Sequence, residues 1–166
     1  MSAIEEFLTA TEGDVTAHVT ESDGFEDVLT SVVESPAIGT PLPFESVTLA
    51  GTGVETDFSP ASLEAAKTGV TPVSFGISNY GTLSLCADAA GTELASLYPP
   101  RHVGVLAASD FQTGMKDAFE RLEAEFEAGR DTQVLATGPS ATADMGTLVS
   151  GVHGPGEVHA VVLEDR

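Results

Sequence analysis

Two short runs gather the residue types best able to hold a ligand: Gly138-Pro139-Ser140-Ala141-Thr142-Ala143-Asp144 and Gly151-Val152-His153-Gly154-Pro155. Glycine tolerates φ > 0 and proline fixes φ, so both runs form turns. Ser140 and Thr142 add hydroxyls able to cap a helix or meet a polar ligand. Apolar residues 134–136 precede the first run and 158–163 follow the second. Both runs therefore lie at strand ends, where open α/β sheets commonly build sites. A helix starting near Thr142 would offer free N–H groups and a positive dipole end to a phosphate or carboxylate. The simpler alternative is a strand–helix turn in which Ser140 only caps, and local sequence favours it.

Arg101 and His102 follow the rigid pair Pro99-Pro100 and lead into an apolar strand. In a chain poor in cations, Arg101 could hold an anion bidentately, or it could pair with one of many acids. His153 sits in a glycine-rich loop and could act as acid, base or ligand near neutral pH. His159, inside the last strand, reads as packed or solvent-facing. With no HxH or HExxH spacing, no metal site is expected. Glu64, Glu93 and Asp144 are candidate carboxylates, but their spacing pairs none of them. Gly51-Thr52-Gly53 lacks both the third glycine of GxGxxG and the GK[ST] of a P-loop, so it reads as a loop at a sheet edge. There is no GxSxG, and Cys86 in a strand reads as packing.

The elements that must position these residues follow from periodicity. Ile4, Phe7 and Leu8 suggest a short opening helix, and residues 14–20 a strand. Asp23 and Glu26 resemble a capping box ahead of an apolar stripe through Phe25, Val28, Leu29, Val32 and Val33, ending near Ser35-Pro36. Residues 47–50 read as a strand. Ser59-Pro60 starts a helix with Gly69 as its C′ residue. Val73, Phe75 and Ile77, then Leu83 and Leu85, form a hairpin around residues 78–81. Residues 103–107 read as a strand, and Met115, Phe119, Leu122 and Phe126 as the apolar face of a helix stopped by Gly129. A strand at 134–136, a short helix at 142–149 and a strand at 158–163 complete an alternating α/β pattern. A length of 166 residues suits one domain, with neither internal repeat nor linker.

Six Lys plus Arg against 26 Asp plus Glu give a formal charge of −20. That field repels nucleic acid and anionic lipid. The acids are dispersed over a chain that is 42% hydrophobic, the pattern expected of a salt-adapted protein. The single cysteine excludes an intramolecular disulfide and any CxxC metal or cluster site built from this chain alone. Residues 1–11 lack the character of a signal peptide, and no apolar run nears the roughly 20 residues of a membrane span. A cytoplasmic protein is expected.

The runs Thr68-Gly69-Val70-Thr71, Tyr80-Gly81-Thr82-Leu83, Leu97-Tyr98-Pro99-Pro100-Arg101-His102-Val103, Gly138-Pro139-Ser140 to Asp144 and Gly151 to Pro155 occur in this order. Together they resemble the LUD domain of the lactate-utilisation protein C type, here as an acidic, haloarchaeal-like member. The resemblance covers roughly residues 60–166. It implies an α/β fold of the NagB/RpiA/CoA-transferase kind, a mostly parallel sheet flanked by helices with an inserted β-hairpin. It also implies a role in oxidising L-lactate to pyruvate beside an iron–sulfur subunit and a second LUD-type subunit. The single cysteine fits the cluster-free member, so any iron–sulfur cluster would sit on a partner. The site expected on this basis comprises Gly138, Pro139, Ser140, Thr142, Asp144, Arg101, His102, Gly81, Thr82, His153 and Gly154, binding a small carboxylate or phosphorylated ligand, with no catalytic residue assigned. Two departures reduce its cationic or hydroxyl character. Ala141 stands where members often carry a basic residue, and Tyr80-Gly81-Thr82 where Thr-Gly-Thr is usual. The alternatives are a stand-alone enzyme handling acyl or CoA esters, and a non-catalytic assembly or regulatory module. A homo-oligomer fits each of them.

Self-repulsion at −20 relaxes once the Debye length shrinks to about 3 Å at 1 M salt. The melting temperature should therefore rise between dilute buffer and molar KCl. An unchanged value would remove salt adaptation as the reason for the acidic surface.

Overall fold

The computed structural model describes residues 1–139, 141–142, 149–150 and 153–166, with 141–142 and 149–150 described for their backbone alone. In chain order the helices are α1 (Ala3–Ala10), α2 (Phe25–Val32), α3 (Pro60–Ala65), α4 (Thr92–Leu97) and α5 (Met115–Glu127). The strands are β1 (Thr16–Thr20), β2 (Ala37–Gly39), β3 (Val54–Glu55), β4 (Thr68–Pro72), β5 (Phe75–Ile77), β6 (Thr82–Cys86), β7 (Arg101–Ala107), β8 (Phe111–Gln112), β9 (Gln133–Ala136), β10 (Ala141–Thr142), β11 (Val149–Ser150) and β12 (Glu157–Leu163). None of the described helices is long and apolar enough to cross a membrane.

Six strands form a parallel sheet in the order β1-β12-β7-β4-β2-β3. One face carries Val70, Val103, Val105, Val161 and Leu163, packed under α2 through Phe25, Leu29 and Val32. The other face carries Leu106, Val158, Ala160 and Val162, packed on Phe7 of α1 and on Leu83 and Leu85 of β6. Strand β6 belongs to a second sheet, β8-β5-β6-β9, in which β5 and β6 form the antiparallel hairpin. The far side of that sheet rests on α5 through Phe75, Ile77, Ala118 and Leu122. The expected fold class, a mostly parallel sheet flanked by helices with an inserted hairpin, is the one observed.

Several local expectations need correction. Residues 47–50 form no strand; Val47 and Leu49 instead plug the α2 face of the core from a loop that begins at Pro41 and Pro43. Its backbone is satisfied by local turns instead, Val47 N–H donating to Phe44 O, Ala50 N–H to Thr48 Oγ1 and Thr52 N–H to Leu49 O, so this apolar run packs without pairing. Gly69 is no helix C′ residue but lies inside β4, a central strand that periodicity alone passed over because it reads Thr-Gly-Val-Thr-Pro. The short helix α4 was also not anticipated. Asp23 does not cap α2, whose N-cap is Gly24 after a 3-10 turn. On α5 the expected core stripe is half wrong. Leu122 and Ala118 are buried, whereas Phe119 and Phe126 are 64% and 47% exposed. Finally, Thr142 pairs with Val149 in the antiparallel β10–β11 ladder, so no helix begins there; residues 143–148 lie outside the described residues.

Gly69 shows how tightly α4 is seated. A Cβ built there would lie 1.7 Å from the carbonyl oxygen of Ala95 on α4. Backbone cannot yield by a rotamer change, so Gly69→Ala must push the helix off the sheet. The expected cost is about 1–3 kcal/mol, read as a lower urea midpoint in high KCl. An unchanged midpoint would show that α4 is free to shift.

Candidate functional site

His102 is the second residue of β7 and is 1% exposed. Its Nε2 shares a 2.8 Å hydrogen bond with the hydroxyl of Thr71, also fully buried, on neighbouring β4. The imidazole borders a pocket of about 190 Å³ between the amino ends of the main strands and the small sheet. Ser96 and Leu97 of α4 wall it on one side, and Gly138, His153 and Gly154 on the other. Three stretches far apart in the chain, 96–102, 138 and 153–154, thus meet in one place. The volume is below the roughly 300 Å³ at which drug-sized ligands begin to fit, so only a small molecule can enter.

Arg101 precedes His102 in the same strand, and alternation sends its side chain to the opposite face. There Nη1 donates to the carbonyl of Val32 at 2.9 Å and Nη2 pairs with Glu157 at 2.8 Å, with Glu34 at 3.8 Å. Glu157 also accepts from His159 Nε2 at 2.8 Å, and His159 Nδ1 meets His18 Nε2 at 3.1 Å. Glu157 is a carboxylate acceptor, so the shared proton sits on His159 Nε2. His159 Nδ1 then accepts from the His18 Nε2–H. Arg101 first and His159 second hold the Glu157 carboxyl below its ordinary range. Burial, then the neighbouring His159, lowers the pKa of His18. The guanidinium of Arg101 is thus committed to a polar chain on the α2 face, turned away from the pocket.

The remaining expected residues are dispersed. Thr82 opens β6, and its hydroxyl bonds that of Thr137 at 2.8 Å, which ties the hairpin to the strand leading into Gly138. Gly81 (φ 62°) closes the preceding turn, against Ala10 and Thr11. Gly138 (φ 98°) lies so close to Asp14 that a Cβ would come within 2.9 Å of the Asp14 Cβ. Pro139 faces a different cleft, shared with Asp14, Thr16 and Glu157. Ser140 and Asp144 lie outside the described residues, and Thr142 is described only as backbone in β10. Thr142 is strand rather than a helix start, so the described residues supply no helix N-terminus at that turn.

Two polar clusters went unforeseen. The His18–His159 contact joins residues 141 positions apart, and only strand register brings them together. Arg121, Glu125 and Arg130 form a second cluster at the other end of the sheet. The i, i+4 spacing of Arg121 and Glu125 was a legible hint of that one.

Complete burial, with a smaller push from His159, lowers the pKa of His102 from 6.5 to about 4. The unfolded imidazole binds a proton near 6.5 while the folded one stays neutral. Stability from this group is therefore full above pH 6.5 and falls as pH drops toward about 4, by roughly 3 kcal/mol in all. Urea unfolding of the wild type and His102→Gln at pH 7 and pH 4.5 checks this. The variant should lose less stability on acidification; equal losses would show that His102 is already charged or solvated.

The LUD domain model matches residues 45–163. A crystal structure of a DUF162 family protein from Deinococcus radiodurans superposes with a TM-score of 0.73, covering 98% of this chain and 96% of that one at 20% sequence identity. At that identity the likeness shows a shared fold. No curated protein sequence matches the chain. The family pattern spans well over half of the 166 residues and sits on the parallel sheet described above, so the chain belongs to the LUD domain family.

Proposed function

We propose that this protein is a non-redox component of L-lactate utilisation, a single LUD domain over residues 1–166 that binds a small carboxylate during oxidation of lactate to pyruvate. The family is associated with lactate utilisation. The observation that carries the reading is the meeting of His102, Gly138, His153 and Gly154 around one pocket of about 190 Å³. A neutral imidazole can exchange a hydrogen bond with a 2-hydroxy or 2-keto oxygen, and backbone N–H groups near Gly138 and Gly154 can meet a carboxylate. His153, at the exposed mouth, supplies a second imidazole beside the pocket. Arg101 has no part in this scheme, since its guanidinium already serves Glu157 and Val32.

Electron transfer lies with partners in this reading. One cysteine cannot ligate a cluster, so an iron–sulfur subunit and a second LUD-type subunit would complete the system. The acidic surface would suit a salt-rich cytoplasm.

Thermal-shift measurements in high KCl with lactate, pyruvate, CoA and CoA esters test the proposal. A ligand at 100 times its Kd adds about 2.7 kcal/mol, a readily visible shift. Lactate or pyruvate should raise the melting temperature, and His153→Ala should reduce that rise. A shift with CoA esters alone would turn the assignment to acyl chemistry. No shift with any of the four would refute a ligand role for the pocket.

A further inference from the structure

At the opposite end of the sheet, the chain leaves the carboxyl ends of β2, β4 and β7 around a cleft of about 620 Å³. Open parallel sheets place ligands outside the carboxyl ends of their strands, and this volume lies within the range of small-molecule sites. Pro41, Pro43 and Phe44 form an apolar wall. The floor is ionic. Glu125, on α5, has a side chain only 5% exposed and accepts from Arg121 Nε at 2.9 Å and from Arg130 Nε. Arg121 is fully engaged, since Nη1 also reaches Asp110 at 3.4 Å and Nη2 reaches the carbonyl of Ser74 at 3.3 Å.

Arg130 differs. Gly129 (φ 82°) ends α5 in the left-handed conformation, and the Arg130 backbone N–H returns to the carbonyl of Glu125 at 2.9 Å. That bond and the Nε–Glu125 pair complete a helix C-cap. Both Nη groups are left over, with no partner among the described residues. A guanidinium oriented through Nε, with its outer fork free at the rim of a cleft, is prepared for a carboxylate.

Charge narrows the ligand further. Asp88, Asp110, Glu125 and Asp131 face two guanidinium groups, so a polyanion is repelled. The carboxylate of Asp88 is already taken by the backbone N–H and hydroxyl of Thr92. Burial raises the pKa of Asp110, and the Arg121 guanidinium that it pairs with opposes that shift.

We propose that this cleft binds a monocarboxylate with an apolar tail, its two oxygens on Nη1 and Nη2 of Arg130 and its tail against Phe44 and the prolines. The site is separate from the His102 pocket and does not rest on the lactate reading.

Amide chemical-shift mapping of the full chain in high KCl tests it, with hexanoate as the probe and hexanamide and citrate as controls. Hexanoate should shift the amides of Ser74, Asp110 and Arg130 saturably, and each control should bind at least tenfold more weakly. Arg130→Gln should weaken hexanoate at least tenfold. If that variant does not fold, Arg130→Lys, which keeps an ion pair with Glu125 but loses the fork, should weaken it at least fivefold. The proposal is overturned by a wild type that shows no saturable shift. It is equally overturned by shifts centred on His102 and Gly138, by binding as strong with either control, or by unchanged affinity in the variant that folds.

Discussion

Strands β7 and β12 are hydrogen-bonded along both edges and covered on both faces, which leaves almost nothing in either strand in contact with water. Strands in that position usually read as continuous apolar runs. Here their first residues are Arg101-His102 and Glu157-Val158-His159, and His102 and His159 among them are buried where an unpartnered polar group costs about 1–3 kcal/mol, whereas Glu157 reaches solvent. The polar chemistry at this end follows from that requirement. Glu157 answers Arg101, His159 answers Glu157, and His18 on the edge strand answers His159. On the other face His102 stays neutral and takes a hydroxyl, Thr71, from the next strand.

The same alternation explains what was legible in the chain and what was not. The helices α1, α2 and α5, the β5–β6 hairpin and strands β1, β7, β9 and β12 carry periodicity or turn chemistry strong enough to be read locally. Strand β4 is a run of small and hydroxyl residues whose place in the centre of the sheet comes from its neighbours on either side. Residues 47–50 have a strand's composition but no partner to pair with, and they serve as core filler. Phe119 and Phe126 fit a helical stripe, yet the face of α5 that meets the small sheet is the one bearing Ala118, Leu122 and Glu125. Period alone says that a stripe exists, whereas docking decides which residues face inward.

At the candidate site the adjacent pair Arg101-His102 looked like one functional unit, and in a strand such neighbours are divided between two layers. His102 joined residues 51 and 52 positions further on, His153 and Gly154, at the pocket, while Arg101 went to acids on the far face. The identity of the residues was visible, but their grouping depended on element type. A helix would have kept them closer, and a loop would have left the question open.

The low cation count gives these pairings a further meaning. Lys67 and Lys116 make ion pairs with Glu34 and Glu120 using side chains more than half exposed, where each bond is worth little and salt screens it. Arg101 and Arg121 work in partly buried surroundings, and the Glu125 carboxylate that Arg121 and Arg130 share is almost wholly enclosed. Mobile ions reach the nearly enclosed Glu125 and its partner Arg121 poorly, so molar salt that cancels repulsion across the −20 surface weakens that contact less than it weakens the pairs that include the half-exposed Glu157 and Arg130. Salt can therefore tune the stability of the outer shell while the Arg121–Glu125 pair keeps most of its local electrostatics. An anionic ligand must then be met by backbone N–H groups, an imidazole or an already oriented guanidinium, because exposed lysines in this protein are too few and too screened to attract it.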